Sequence, residues 1–169
     1  LDGREINVRD TLEAQHLGIS IIHQEINLMQ DLTVSENIYI GREPTRGLLL
    51  NQSRQDAQTN ALLDSLHLSD IRAGTRVRTL TVAKQQMVEI AKALSFSNTR
   101  ILIMDEPTAA LTESEIEDLF SFIRRLKAQG VGIVYISHRM EELKEIADMV
   151  TILRDGQKIG ESFRFADKT

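Results

Sequence analysis

Two adjacent carboxylates, Asp105 and Glu106, close an apolar run, Ile101-Leu102-Ile103-Met104, and are followed at once by Pro107. An apolar run of this length reads as an interior strand of a covered sheet, and open α/β sheets hold their ligands at the carboxyl ends of such strands. Two acids at that point suit phosphoryl transfer, which needs a magnesium ion held between phosphate oxygens and a residue that orients or deprotonates the attacking water. Neighbouring strand residues point to opposite sides, so the pair can divide the work, one toward a metal and the other toward the water. An acid pair on its own is equally compatible with a solvated strand exit, and the context has to decide.

Two further strand ends supply that context. His138 follows the run Val131 to Ile136 and Ser137; an imidazole there can donate at one nitrogen and accept at the other, toward a terminal phosphate or the attacking water. A lone histidine at a strand end is otherwise an ordinary surface residue. Gln24 follows Leu17 to His23, and its amide oxygen can coordinate magnesium or a water while its nitrogen donates elsewhere. His16, His23 and His67 have no paired spacing of the kind a zinc site needs.

The elements that must position these groups follow from periodicity and punctuation. Residues 17–23, 101–105, 131–138, 149–154 and 158–163 read as strands, the last two joined by a turn at 155–157, and Asp2-Gly3 reads as a tight turn between two strands. Thr33 with Glu36, and Thr112 with Glu115, have capping-box spacing and open helices ended by Gly41 and Gly130. Residues 42–52 read as a loop with a small apolar patch. A mainly helical stretch follows, with Ala57, Ala61, Leu62 and Leu66 on one face of its first helix. A helix over 82–94 presents Val82, Met87, Ile90, Ala91 and Leu94, one over 113–129 presents Ile116, Leu119, Phe120, Ile123 and Leu126, and a short one follows from Met140. Alternation of strand and helix gives an α/β class.

Composition narrows the partners. The 169 residues are 41% hydrophobic, enough for one core, and the formal net charge of −5 with no strongly basic block argues against non-specific nucleic-acid binding. No cysteine is present, so neither a disulfide framework nor a thiolate metal site is available, as suits a reducing compartment. No stretch approaches the roughly 20 apolar residues of a membrane span, and the first ten residues lack the layout of a secretory signal.

Taken in order, Gln24 in the segment 21–38, the helix-leading segment 80–94, the segment 101–111 and Val134 to His138 resemble the ATP-binding cassette ATPases, specifically the sugar-importer type and its N-terminal cassette, over nearly the whole chain. The resemblance implies a partial P-loop NTPase (RecA-like) core with a helical signature subdomain at about 53–95. It implies ATP and magnesium as cofactors. Gln24 would be the Q-loop glutamine that touches magnesium and faces the membrane subunit, Asp105 the Walker B metal partner, Glu106 the general base and His138 the switch histidine. Thr81, Val82 and Ala83 would stand in the signature segment that meets the nucleotide. Implied partners are integral-membrane permease subunits, a second cassette fused in the same chain and, indirectly, a periplasmic sugar-binding protein, with no nucleic acid; the implied location is the cytoplasmic membrane face. Other readings are a clamp ATPase acting on ribosomes or nucleic acid, and a degenerate regulatory cassette.

The sequence departs from the family in three places. Leu80 matches the first residue of the signature LSGGQ and Gln85 stands just after it, but Thr81, Val82, Ala83 and Lys84 replace the serine, the two glycines and the following glutamine. Side chains at the glycine positions should weaken backbone approach to a phosphate. Thr112 stands where an aspartate is common. No G-x-x-x-x-G-K-[ST] loop occurs; the chain is therefore expected to be an N-terminally cut portion of a cassette, with little ATP affinity by itself.

Overall fold

The computed structural model describes residues 1, 3–96 and 99–165. Helix α1 (Thr11–His16) is opened by the Asp10 side chain and leads into strand β1 (Ile19–Ile22). Helix α2 (Val34–Tyr39) carries the full Thr33–Glu36 capping box. Strands β2 (Thr45–Arg46) and β3 (Leu49–Leu50) make a small hairpin before helix α3 (Gln52–Ser65). A single 3-10 turn, Val77–Thr79, precedes helix α4 (Val82–Leu94). Strand β4 (Ile101–Asp105), helix α5 (Glu113–Ala128), strand β5 (Gly132–Ile136), helix α6 (Met140–Ile146) and the strands β6 (Val150–Arg154) and β7 (Gln157–Phe163) follow.

Strands β1, β4 and β5 form one parallel sheet in that order, with Ile22 beside Met104 and Met104 beside Tyr135. Register and alternation place Ser20, Ile22, Leu102, Met104, Ile133 and Tyr135 on one face. That face carries the buried residues of the sheet and joins the buried stripe of α5, Ile116, Leu119, Phe120, Phe122, Ile123 and Leu126, in one core. Phe120 meets Tyr135 edge-on at 6.1 Å, fixing α5 over β5. The opposite face bears Ile21, Val134 and Ile136, all exposed, together with half-buried Asp105. Helix α5 ends in a Schellman motif: Gly130, at φ 89°, donates to Lys127 and Val131 donates to Leu126. The β6–β7 hairpin turns through Asp155 and Gly156, both at positive φ, as a two-residue turn of the primed class requires.

Several expectations need correction. Arg4 N–H donates to the Leu1 carbonyl, so the first turn closes, but Asp2 lies outside the described residues and residues 3–9 form no strand. Helix α1 forms where no element is read from the sequence, and the 42–52 loop contains the β2–β3 hairpin, with Leu48, Leu49 and Leu50 exposed. The strands end earlier than expected, leaving His23, Gln24, Ser137 and His138 beyond them.

The inward face of α3 is Gln55, Thr59 and Leu63, with Ala57 and Ala61 exposed. Polar anchoring turns this helix: Ser35 donates to Asp56 at 2.6 Å and accepts from Gln52 at 3.3 Å, fixing α3 against α2. In α4 the buried residues are Ala83, Gln86, Val88, Ile90, Ala91 and Ala93, while Val82 is exposed and Met87 and Leu94 are half-buried. Contacts to both α2 and β1 bury this helix on more than one side, which a single stripe cannot describe.

Candidate functional site

The site is built where β4 and β5 end. Asp105 is the last residue of β4, beside Ile136. Glu106 does not continue the strand: its φ is 45°, in the left-handed region, while its N–H still bonds the Ile136 carbonyl at 3.0 Å. The alternation argued for two consecutive strand residues therefore does not apply to Glu106; a left-handed kink aims its side chain. Such a conformation is costly for a residue with a Cβ and persists only where the surroundings impose it. Here the bond to β5 and the buried Pro107 and Thr108 impose it.

The kink brings Glu106 Oε1 to 2.9 Å from His138 Nδ1. The histidine side chain is 75% exposed and that of Glu106 29%, so the pair opens to solvent. An ionised carboxylate only accepts, so this contact places the imidazole proton on Nδ1 and leaves Nε2 as the acceptor of the neutral ring; a protonated ring presents Nε2–H as a donor. The second carboxylate oxygen of Glu106 stays available to a water.

Gln24 is exposed, two residues beyond Ile22. The β1–β4 register ends at Ile22, and the structure does not bring Gln24 into the Glu106–His138 contact. Asp105 and Gln24 offer one carboxylate and one amide oxygen. That donor set fits a magnesium ion, which keeps several waters and takes phosphate oxygens for the rest. Among the described residues no group of three or more His, Asp or Glu side chains could hold a metal ion by itself.

Thr81, Val82 and Ala83 lie apart from this pair at the start of α4. Thr81 is its N-cap, accepting from the Lys84 N–H, Val82 is exposed and Ala83 is buried. The loop after Gln24 is stitched to this region. Gln30 donates to Gln85 at 3.1 Å, the Arg78 N–H reaches the Gln30 carbonyl, Arg78 pairs with Asp31 at 2.9 Å, and Val77 N–H bonds Leu32. On the same interface burial pushes the Glu89 carboxyl above its ordinary range, against the pull of Lys92, the Asn27 N–H and His23, and its Oε1 has no protein partner.

Sequence reasoning passed over Glu142, on α6. This carboxylate is almost fully buried and receives Thr108 and Arg139 at one oxygen and Tyr135 and Ser137 at the other. The only sign in the sequence is an acid one helical turn beyond His138, indistinguishable there from its exposed neighbour Glu141.

Parallel strands with polar residues at their carboxyl ends, and a helical segment joined to the first loop, make an open α/β sheet with its site at the strand exits. Residues 1–109 match the sequence profile of the ABC transporter family, and the chain belongs to that family. Over 162 residues it is 54% identical to the protein provisionally named ribose/galactose/methyl galactoside import ATP-binding protein in Albidiferax ferrireducens, covering 95% of this chain and 32% of that one. Over 157 residues it is 50% identical to the galactose/methyl galactoside import ATP-binding protein MglA of Yersinia pestis, covering 93% of this chain and 31% of that one. The chain spans about a third of the length of the curated relatives it matches. Among solved structures, the ADP conformation of an ATP-binding cassette of an ABC transporter superposes with a TM-score of 0.79 at 24% identity, covering 97% of this chain and 67% of that one. A nucleotide-free cassette does so with a TM-score of 0.77 at 23% identity, covering 96% and 67%. These likenesses establish the fold. Among the described residues no helix is long and apolar enough to cross a membrane.

Proposed function

We propose that this chain is part of the ATP-hydrolysing, energy-coupling subunit of a sugar importer. The observation that carries the reading is the contact between Glu106 and His138 across two adjacent strand exits. In this reading Glu106 takes the proton of the attacking water, since its free oxygen accepts while His138 holds the other. His138 orients Glu106 and offers its second nitrogen to the water or to a phosphate oxygen. Asp105 and Gln24 would hold magnesium, which would supply charge neutralisation on the phosphates. The start of α4, at Thr81, Val82 and Ala83, would meet the nucleotide of a second cassette.

The same reading takes about 53–95 as the helical signature subdomain and the rest as the α/β core. The bonds from Gln30, Asp31 and Leu32 to residues 77–85 support a mechanical link between the Gln24 loop and that subdomain. The partners are integral-membrane permease subunits at the cytoplasmic face, a second cassette in the same chain and, through the permease, a periplasmic sugar-binding protein. The names of the curated relatives support import of ribose- or galactose-type sugars.

The test is the steady-state ATPase rate of the complete reading frame containing residues 1–169, with Glu106→Gln beside wild type. Loss of the base lowers kcat by roughly 100-fold or more. An unchanged rate removes Glu106 from the chemistry and overturns the assignment.

A further inference from the structure

Glu142 is 3% exposed, and its carboxylate gathers four groups. Oε1 accepts from Thr108 Oγ1 at 2.8 Å and from Arg139 Nη1 at 2.8 Å. Oε2 accepts from Tyr135 Oη at 2.9 Å and from Ser137 Oγ at 2.8 Å. A carboxylate buried this deeply is a poor way to stabilise a fold, because desolvation offsets most of what its bonds contribute. Its best-attested use is to fix one geometry among several. The partners say which geometry. Thr108 lies two residues beyond Glu106, on the exit of β4. Ser137 and Arg139 flank His138 on the exit of β5, and the Arg139 N–H is itself bonded to Ser137 Oγ at 3.0 Å.

We propose that Glu142 is the positioning residue of this site, tying the two strand exits to one carboxylate so that Glu106 and His138 meet. Besides the Glu106 N–H to Ile136 bond, side chains join the two exits twice, once on the buried side through Glu142 and once on the open side through the 2.9 Å contact. Neither Glu106 nor His138 touches Glu142, so its effect passes entirely through Thr108, Ser137 and Arg139. Arg139 is held in addition by Glu113 at 3.4 Å, which brings the start of α5 into the same frame. The kinetic part of this inference rests on the ATPase reading; the geometric part does not.

Glu142→Gln is the informative change. Its remaining oxygen can serve Arg139 and Thr108, and the hydroxyls of Tyr135 and Ser137 can turn to accept from the new amide, so the fold has a satisfied alternative. The four-donor arrangement that fixes both exits is lost. In the complete reading frame kcat should fall about 10- to 100-fold with KM for MgATP within about twofold, as misplacement of a reacting group by about an ångström predicts. Thr108→Val, which cuts only the β4 link, should shift kcat in the same direction by less.

The second readout is the pair of imidazole nitrogen shifts of His138, assigned with His138→Gln. Wild type should show one tautomer, protonated at Nδ1, and Glu142→Gln should average both. A kcat within twofold of wild type together with unchanged nitrogen shifts overturns the proposal, as does a loss carried wholly by KM. If wild type does not hydrolyse ATP, or Glu106→Gln leaves the rate unchanged, the ATPase reading fails; the nitrogen shifts then decide the role of Glu142 alone.

Discussion

At the scale of single residues the site trades conformational ease for position. Glu106 sits at φ 45°, a conformation that costs an L-residue roughly 1–2 kcal/mol. Glycine would relieve that cost while adding roughly 0.5–1 kcal/mol of backbone entropy to be lost on folding. Glu106→Gly is therefore expected to raise unfolding stability by up to about 1.5 kcal/mol relative to Glu106→Ala, since both remove the carboxylate and only one keeps the Cβ. Urea denaturation midpoints of the two variants decide it. A midpoint for Glu106→Gly below that of Glu106→Ala, by the entropy cost alone, would show that the kink carries no strain, and its conformation would need another cause. Both variants should lose hydrolysis, which separates the stability of this position from its chemistry.

At the scale of elements, α2 and α4 hold the loop that begins at Gln24. Asn37 is fully buried; it accepts from the Met29 N–H at 2.7 Å and donates to the Met29 and Thr33 carbonyls at 3.0 Å. Asn37→Ala leaves both Met29 backbone groups without this partner, so a loss of about 2–4 kcal/mol is expected, with faster proteolysis between 24 and 32. Chemical denaturation and limited proteolysis measure the two effects, and an intact loop in the variant would place its anchor elsewhere.

Glu89 on α4 makes a pH prediction at the same interface. Its carboxyl is raised by burial, so its favourable contribution is full below the ordinary glutamate value of about 4.3 and is lost as pH rises through the higher folded value. Glu89→Gln should thus melt higher than wild type at neutral pH and lose that advantage on acidification; a difference constant across this range would exclude titration of Glu89 as its source. These anchors explain what the sequence displayed and what it hid. Strongly patterned elements such as β4 and α5 were legible, because apolar spacing and the Thr112 and Gly130 punctuation agree. The inward faces of α3 and α4 were hidden because Gln55, Thr59 and Gln86 are buried polar residues, set by contacts from other elements. For the site, residue types at strand ends pointed to Glu106 and His138; the kink at Glu106 and the buried role of Glu142 arise only when β4, β5 and α6 meet.

At the scale of the whole molecule, charge and motif together set how residues 1–169 should treat a nucleotide by themselves. A triphosphate carries several negative charges, and the sheet end that faces it in the proposed reading presents Asp105 and Glu106. The nearest guanidinium in the network, that of Arg139, is committed to Glu142 and Glu113. The whole chain adds a formal charge of −5, and its sequence contains no glycine-rich lysine loop to cradle phosphates with backbone N–H groups. Asp105 and Gln24 would hold magnesium there, but two oxygen ligands hold a strongly hydrated ion weakly. Calorimetric titration of residues 1–169 with MgATP should therefore give a Kd no tighter than about 1 mM, equivalent to roughly 4 kcal/mol of binding. Micromolar binding by residues 1–169 would mean that the phosphates are held by residues other than those named, and that the strand-end site is not where the nucleotide is gripped.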